Sequence, residues 1–429
     1  MLEVETALAR VQFRRGLITA SQAGEIASAC DLDRLDLAAL AEQAAGAASP
    51  VIVLLAHVRT HLSEDVRGAL HLGATSQDIV DTAMVLQVRD ALDLLDERLL
   101  TVATRCVELA DQHRGTVLAG RTLKQQAVPI TFGLLAARWL GAIDRRLTHL
   151  EALRPRLLAV QLGGAAGTLG SFPDQGPELM ADLAEELGLA DPQLPWHAER
   201  DRVMELAGAL SAVISVVSKI ARDILDLAST EVGEVRTAPL AGPGSSAMPH
   251  KGRNPVDAVA ARAAARLATG ELQVLMTAAG DHEHERAAGA WQAEWVAIPG
   301  ALMRVLGAVE RLAAALDTLE VVEERGRHNL AANFGLTASE QLAHALAEGL
   351  GRSAAQSLVG QLASRAMEQQ RPLAEVAATD DRVLAVLSDG EVARACDPAT
   401  TLTNVDALID RAIATHRACR DGASEEERA

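Results

Sequence analysis

Residues 242–255, GPGSSAMPHKGRNP, place Ser245, Ser246, Met248, His250, Lys251, Arg253 and Asn254 on one stretch broken by glycine and proline. Polar side chains on a loop between rigid elements are where chemistry concentrates. A serine can carry a proton if backbone N–H groups and a nearby cation stabilise its alkoxide, and here the glycines and Lys251 offer both. The plain alternative is a surface linker between two helices. A linker, however, has no need of Met248, or of Ser245, Ser246 and Lys251 together. Ordinary serine hydrolysis is excluded, because no G-x-S-x-G elbow occurs and Lys251 lies six residues after Ser245, not three.

Five other polar stretches punctuate the chain. In HLGATSQDIVDT, residues 71–82, Thr75 or Asp78 reads as a helix cap before a long helix, with His71 and Ser76 beside it. GRTLKQQAVP (120–129) carries Thr122. QLGGAAGTLGS (161–171) lacks both phosphate-loop spacings, so its glycines serve either close backbone approach to a ligand or a tight connection. PWHAERD (195–201) opens a second long helix, and Arg200 at a helix start, where the dipole disfavours cations, reads as an anion contact. DHEHERAAGAWQAEW (281–295) is not the H-E-x-x-H zinc motif: His282 and His284 are two apart and face opposite sides of a helix, so no metal is expected.

Long helices must position these stretches. Val85, Val88, Leu92, Leu95, Leu99, Val102, Cys106 and Leu109 alternate steps of three and four, the seam of a helix in a near-parallel bundle. The spacing returns from Val203 to Leu227 and from Leu302 to Leu319. The Val203 helix is apolar on more than one face, which suggests packing across subunits. Glu205, Lys219, Arg222 and Asp223 interrupt it too often for a membrane span. With 49% hydrophobic residues, 2% aromatic and no tyrosine, the core is built from Ala, Leu and Val, which favours close-packed helices. The fold class read here is all-α, in three domains: residues 1–84, a central long-helix bundle over 85–335, and a small helical domain over 336–429. The apolar run VIVLLAHV reads as helix from its surroundings. A net charge of −18 argues against nucleic acid and anionic membranes as partners. Four scattered cysteines and a charged N-terminus without a signal-peptide core point to the cytoplasm.

GSSAMPHK…NP resembles the signature GSSxMPxKxNP of the fumarase/aspartase superfamily. The stretches above, with TEVGEV and HERAAGAWQAEW, follow in that superfamily's order and look most like its 3-carboxy-cis,cis-muconate cycloisomerase branch. The resemblance implies a homotetramer whose active sites are shared between subunits, a small multi-carboxylate substrate, and no cofactor. It makes Ser245 the general base and Lys251 a carboxylate anchor, with His71, Thr75, Ser76, Thr122, Arg200, Ser246, Met248 and Asn254 as substrate contacts. The implied reaction lactonises 3-carboxy-cis,cis-muconate through an enediolate. A β-elimination lyase acting on a substituted succinate is the alternative, and a non-catalytic structural homologue is the alternative of another class. Two departures bear on this. Where superfamily lyases that expel an amine carry histidine in GRTH, this chain has Leu123; an amine must be protonated to leave, a carboxylate need not. Gly252 adds a residue between Lys251 and Asn254, and either bulges to restore the register or displaces Asn254.

Overall fold

The structure, a computed structural model, describes residues 1–47, 49–238, 246, 248 and 254–426. The element order is α1 (Leu2–Arg14), α2 (Ala20–Ala29), α3 (Leu37–Ala44), α4 (Pro50–Arg59), α5 (Ser76–Gln112), β1 (Val117–Thr122), β2 (Gln125–Thr131), α6 (Phe132–Leu157), α7 (Gly176–Leu187), α8 (Asp201–Leu227), β3 (Val235–Thr237), α9 (Val256–Ala278), α10 (Ala290–Asp317) and β4 (Leu319–Val321). After these come α11 (Glu323–Ala332) and a run of shorter helices ending in α17 (Val405–Glu426). The chain is all-α apart from two small antiparallel pairs among the described residues, β1 with β2 and β3 with β4.

The three seams are buried as their spacing predicts. From Val85 to Leu109, from Val203 to Leu227 and from Leu302 to Leu319, no seam residue is more than 7% exposed. VIVLLAHV is helical, within α4, with Pro50 in its first turn and Ser49 accepting from Val51 N. The Val203 helix, α8, is apolar and long enough to cross a membrane by length and composition, and half of its most apolar window is buried against protein.

By contact the chain forms two compact units: Met1–Glu97, Thr148–Val213 and Arg266–Leu306 make unit 1; Arg98–Leu147, Ile214–Ala265 and Gly307–Ala429 make unit 2. Every division point falls inside one of the five long helices α5, α6, α8, α9 and α10. Contact therefore groups distant stretches of chain, which differs from a division into consecutive segments. Unit 1 centres on Leu8, Val11, Ile26, Val51, Ile79 and Leu179. Unit 2 includes a separate cluster around Leu342, Leu362, Leu373 and Val376.

Candidate active site

In unit 1, the polar turn before α5 is organised by one carboxylate. Asp78 sits in the first turn of α5, 1% exposed. It accepts four donors: Thr75 N at 2.9 Å, Gly163 N at 2.9 Å, Gly164 N at 3.0 Å and His197 Nε2 at 2.7 Å. The capping role read for this turn is therefore real, since an acid three residues in bonds the amide that precedes the helix. The same acid also fastens QLGG and PWH to it. The amides of Gly163 and Gly164 are thereby taken, so of the two readings for these glycines the tight connection holds. Glycine is required at 163: a Cβ there would meet His197 Cε1 at 2.7 Å and Pro195 Cβ at 2.8 Å. Further stitches come from Thr82, which exchanges hydrogen bonds with Gln161 backbone at 2.9 and 3.0 Å, and from Trp196 N, which donates to Gln161 Oε1 at 2.9 Å.

Arg200 is not the free anion contact its position suggests. Its side chain is 2% exposed, and Nη1 and Nη2 donate to Asp81 at 2.7 and 3.3 Å. Nε donates to Glu294 at 3.2 Å, and Nη2 pairs with the same carboxylate. Burial works against the charge, but Asp81 and Glu294 outweigh it and raise the guanidinium pKa above its ordinary value. The physical reason for a cation before α8 is thus two buried acids, Asp81 and Glu294. Trp291 Nε1 and Gln77 Nε2 complete the shell of Asp81 at 2.9 and 3.1 Å. His282 lies within this network, 3.4 Å from Glu294, with neither ring nitrogen hydrogen-bonded. Arg286 is different: it reaches Gln77 Oε1 and Ala165 O, both at 3.2 Å, so these partners are neutral.

His71 precedes this turn in a left-handed backbone conformation, φ +64°, and its Nδ1 lies 2.7 Å from Glu5 Oε1. Gly73 follows at φ +73°, and a Cβ there would lie 2.3 Å from Phe172 Cζ. Unit 1 thus brings His71, Thr75 and Ser76 onto one short turn.

Thr122 belongs to unit 2, at the end of β1. The sequence reading contained no strand here. β1 and β2 pair from Val117–Thr131 to Thr122–Gln125, with an irregularity between Gly120 and Arg121. Leu123 and Lys124 form the two-residue turn, both at positive φ, +50° and +67°. That is the geometry of a turn that normally takes Asn-Gly, which is why the sequence hid it. Leu123 is 95% exposed. Below the tip, Arg121 makes a bidentate pair with Glu234 at 2.6 and 2.8 Å. Asn329 donates to the same carboxylate at 2.8 Å, and Lys124 pairs with Asp226. The hairpin lines a cleft of about 760 Å³ with Lys219, Asp223 and Asp226.

Ser245, Lys251, Gly252 and Arg253 lie outside the described residues. Of their neighbours, Met248 is exposed and its N donates to Ser246 Oγ at 3.1 Å. Asn254 O accepts from Val256 N at 2.8 Å, at the start of α9. Glu5, Asp81, Glu294 and Asn329 were not singled out from sequence. For Glu5, Asp81 and Glu294 the signal is a polar residue at a core-facing position of a helix, as with Asp78 and Asp81 three apart on α5; Asn329 sits on the polar helix α11 and gives none.

A long-helix fold carrying these stretches in this order defines a class. Residues 4–270 match the family described as Lyase, and residues 335–412 match the adenylosuccinate lyase C-terminus family. The chain belongs to this lyase family, the fumarase/aspartase superfamily. It is 43% identical over 422 residues to a 3-carboxy-cis,cis-muconate cycloisomerase of Pseudomonas aeruginosa, covering 97% of this chain and 92% of the relative. The crystal structure of the 3-carboxy-cis,cis-muconate lactonizing enzyme from Pseudomonas putida superposes with a TM-score of 0.91 at 39% identity, covering 98% and 94% of the two chains. A nitrosuccinate lyase of Streptomyces davaonensis is 39% identical over 425 residues, covering 96% and 89%.

Proposed function

We infer that the chain lactonises 3-carboxy-cis,cis-muconate to 4-carboxymuconolactone, in the catabolism of aromatic compounds. The observation that carries this is the likeness to cycloisomerases over nearly the whole chain, at 43% and 39% identity for two of them. A carboxylate of the substrate adds across its own double bond, which loads charge onto the neighbouring carboxyl group as an enediolate. That addition closes the γ-lactone ring, and protonation of the carbon next to the carboxyl group then completes the reaction. Stabilising the dianion is the site's main task. Ser245 exchanges the proton and Lys251 holds the carboxylate, and His71, Thr75, Ser76, Thr122, Ser246, Met248 and Asn254 are the further substrate contacts of this reading. Arg286 supports this reading as an additional anchor, because its hydrogen bonds to Gln77 and Ala165 go to neutral groups and leave its charge for an anion. The chemistry asks for no cofactor.

The exposed Leu123 is compatible with a leaving group that needs no proton, and that keeps a second reading open. Likeness to a nitrosuccinate lyase favours β-elimination from a substituted succinate as that alternative. Assembly as a homotetramer with shared sites fits the apolar side chains left exposed on α9 and α10, among them Leu267, Met276, Val296 and Met303. A cytoplasmic location fits the unpaired cysteines.

The test is turnover. Purified protein is assayed against 3-carboxy-cis,cis-muconate and a panel of substituted succinates, with Ser245→Ala in parallel. Lactone formation, lost by about a hundredfold or more in Ser245→Ala while mass in solution stays that of four chains, is the expected result. Turnover of a succinate alone replaces the reading with the lyase, and an active Ser245→Ala removes the serine from its role.

A further inference from the structure

Among the buried side chains of unit 1 that keep an atom without a hydrogen-bond partner is the acid at position 5. Helix α1 is apolar on its inner face, yet that face carries Glu5 and Gln12, seven residues apart and 2% and 1% exposed. Residues at this spacing stack two turns apart on one side of a helix. Both reach the same short turn: Glu5 Oε1 lies 2.7 Å from His71 Nδ1, and Gln12 Nε2 donates to Leu72 O at 2.7 Å. Glu5 Oε2 is buried with no hydrogen-bond partner. A carboxylate placed in a core with one of its oxygens unmatched is unfavourable packing. A leucine would fill the position at lower cost, so the acceptor must matter for what it holds.

What it holds is an imidazole. An ionised carboxylate offers only acceptors, so Nδ1 is the nitrogen that carries the proton toward Glu5. Fixing Nδ1 in this way fixes the ring's tautomer and orientation and leaves Nε2 as the nitrogen available to another partner. The ring itself is 14% exposed on its side chain, and its backbone is held at φ +64°, a conformation that costs a non-glycine residue energy and persists only where the surroundings impose it. Gln12 is one such constraint.

We propose that Glu5 is a positioning residue for the reaction: through Nδ1 of His71 it sets which nitrogen that histidine presents to the carboxylate-rich substrate. The proposal rests on the reading of His71 as a substrate contact. It assigns a role in turnover to the first helix of the chain, far in sequence from the signature loop.

A double-mutant cycle on kcat/KM tests it, using the full chain. His71→Asn removes the imidazole while keeping a residue that tolerates the left-handed backbone. Glu5→Leu removes the acceptor, and Glu5→Gln keeps shape but accepts or donates, freeing the tautomer. Each Glu5 change is expected to lower kcat/KM, Glu5→Leu by about tenfold, and to have no further effect, within about twofold, in the His71→Asn background. If Glu5→Leu does not yield folded protein, the cycle with Glu5→Gln carries the same reading. Losses that multiply mean that Glu5 is structural, and they overturn the proposal alone. A His71→Asn protein with wild-type kcat/KM overturns the role of His71, and this proposal with it.

Discussion

Arg200 separates scaffold from site, and one substitution decides between them. In Arg200→Met the side chain keeps an unbranched apolar stem and loses the guanidinium, leaving Asp81 and Glu294 without the cation both of them face. Asp81 retains Trp291 Nε1 and Gln77 Nε2 as donors. Among the described residues, Glu294 then keeps His282 as its polar neighbour, at 3.4 Å. The Arg200, Asp81 and Glu294 side chains are each 4% exposed or less, so water does little to screen what remains. Removing one partner of a buried ion pair costs about 3–5 kcal/mol. For a cooperative unit of about 150–250 residues each kcal/mol moves Tm by about 2–4 °C, so the melt should fall by about 6 °C at the least. Neutralising all three groups, as Arg200→Met, Asp81→Asn and Glu294→Gln, should recover part of that loss, because no unpaired charge is left buried. The assay is a thermal melt alongside turnover per folded protein at low temperature. If Arg200→Met melts with the wild type but loses turnover, the guanidinium serves a ligand and the network has been misread.

Three further outcomes follow from the geometry. Gly73→Ala sets a Cβ 2.3 Å from Phe172 Cζ at φ +73°; a loss of about 2–5 kcal/mol is expected in urea unfolding, and an unchanged midpoint would show that Phe172 moves aside freely. Leu123→Asn suits the positive φ of the hairpin turn and should stabilise the chain by about 0.5–1 kcal/mol; a lowered Tm counts against the turn geometry. In unit 2, burial raises the pKa of the Asp144 carboxyl above its ordinary value, against the pull of His416, 2.7 Å away. A raised carboxyl pKa gives stability at low pH that is lost as pH climbs through the folded value. Asp144→Asn lacks that slope, so its Tm relative to wild type should rise between pH 4 and pH 7, and a falling difference refutes the assignment.

The seams were legible because burial on a long helix repeats: Leu92, Leu99, Leu210, Val217 and Val309 are 0% exposed where the three-four spacing puts them. The family was legible in the signature loop because that pattern of residues is informative without a partner. What escaped the sequence is whatever depends on pairing across distance. Arg200 reads as an anion contact until Asp81, 119 residues away, and Glu294, 94 residues away, claim it. Leu123 and Lys124 hide a hairpin because neither is a turn residue, and the strands are held from elsewhere by the Arg121–Glu234–Asn329 cluster. Glu5 drew no attention in the sequence, and what sets it apart is a contact with His71, 66 residues away.

The placement of the division points inside the long helices also bears on how the chain is made. Unit 1 begins at Met1 but needs residues as far as Leu306, so its opening helices emerge from the ribosome about 200 residues ahead of the segment that completes their core. At about 5–20 residues per second that wait lasts on the order of ten to forty seconds. During it the inner faces of α1, α4 and the start of α5 can meet one another, α2 and α7, but lack Ala287 and Trp291, which complete that core. The last two core residues of the first helices thus arrive with the final third of the chain, and the yield of folded protein is expected to depend on synthesis rate as well as on final stability.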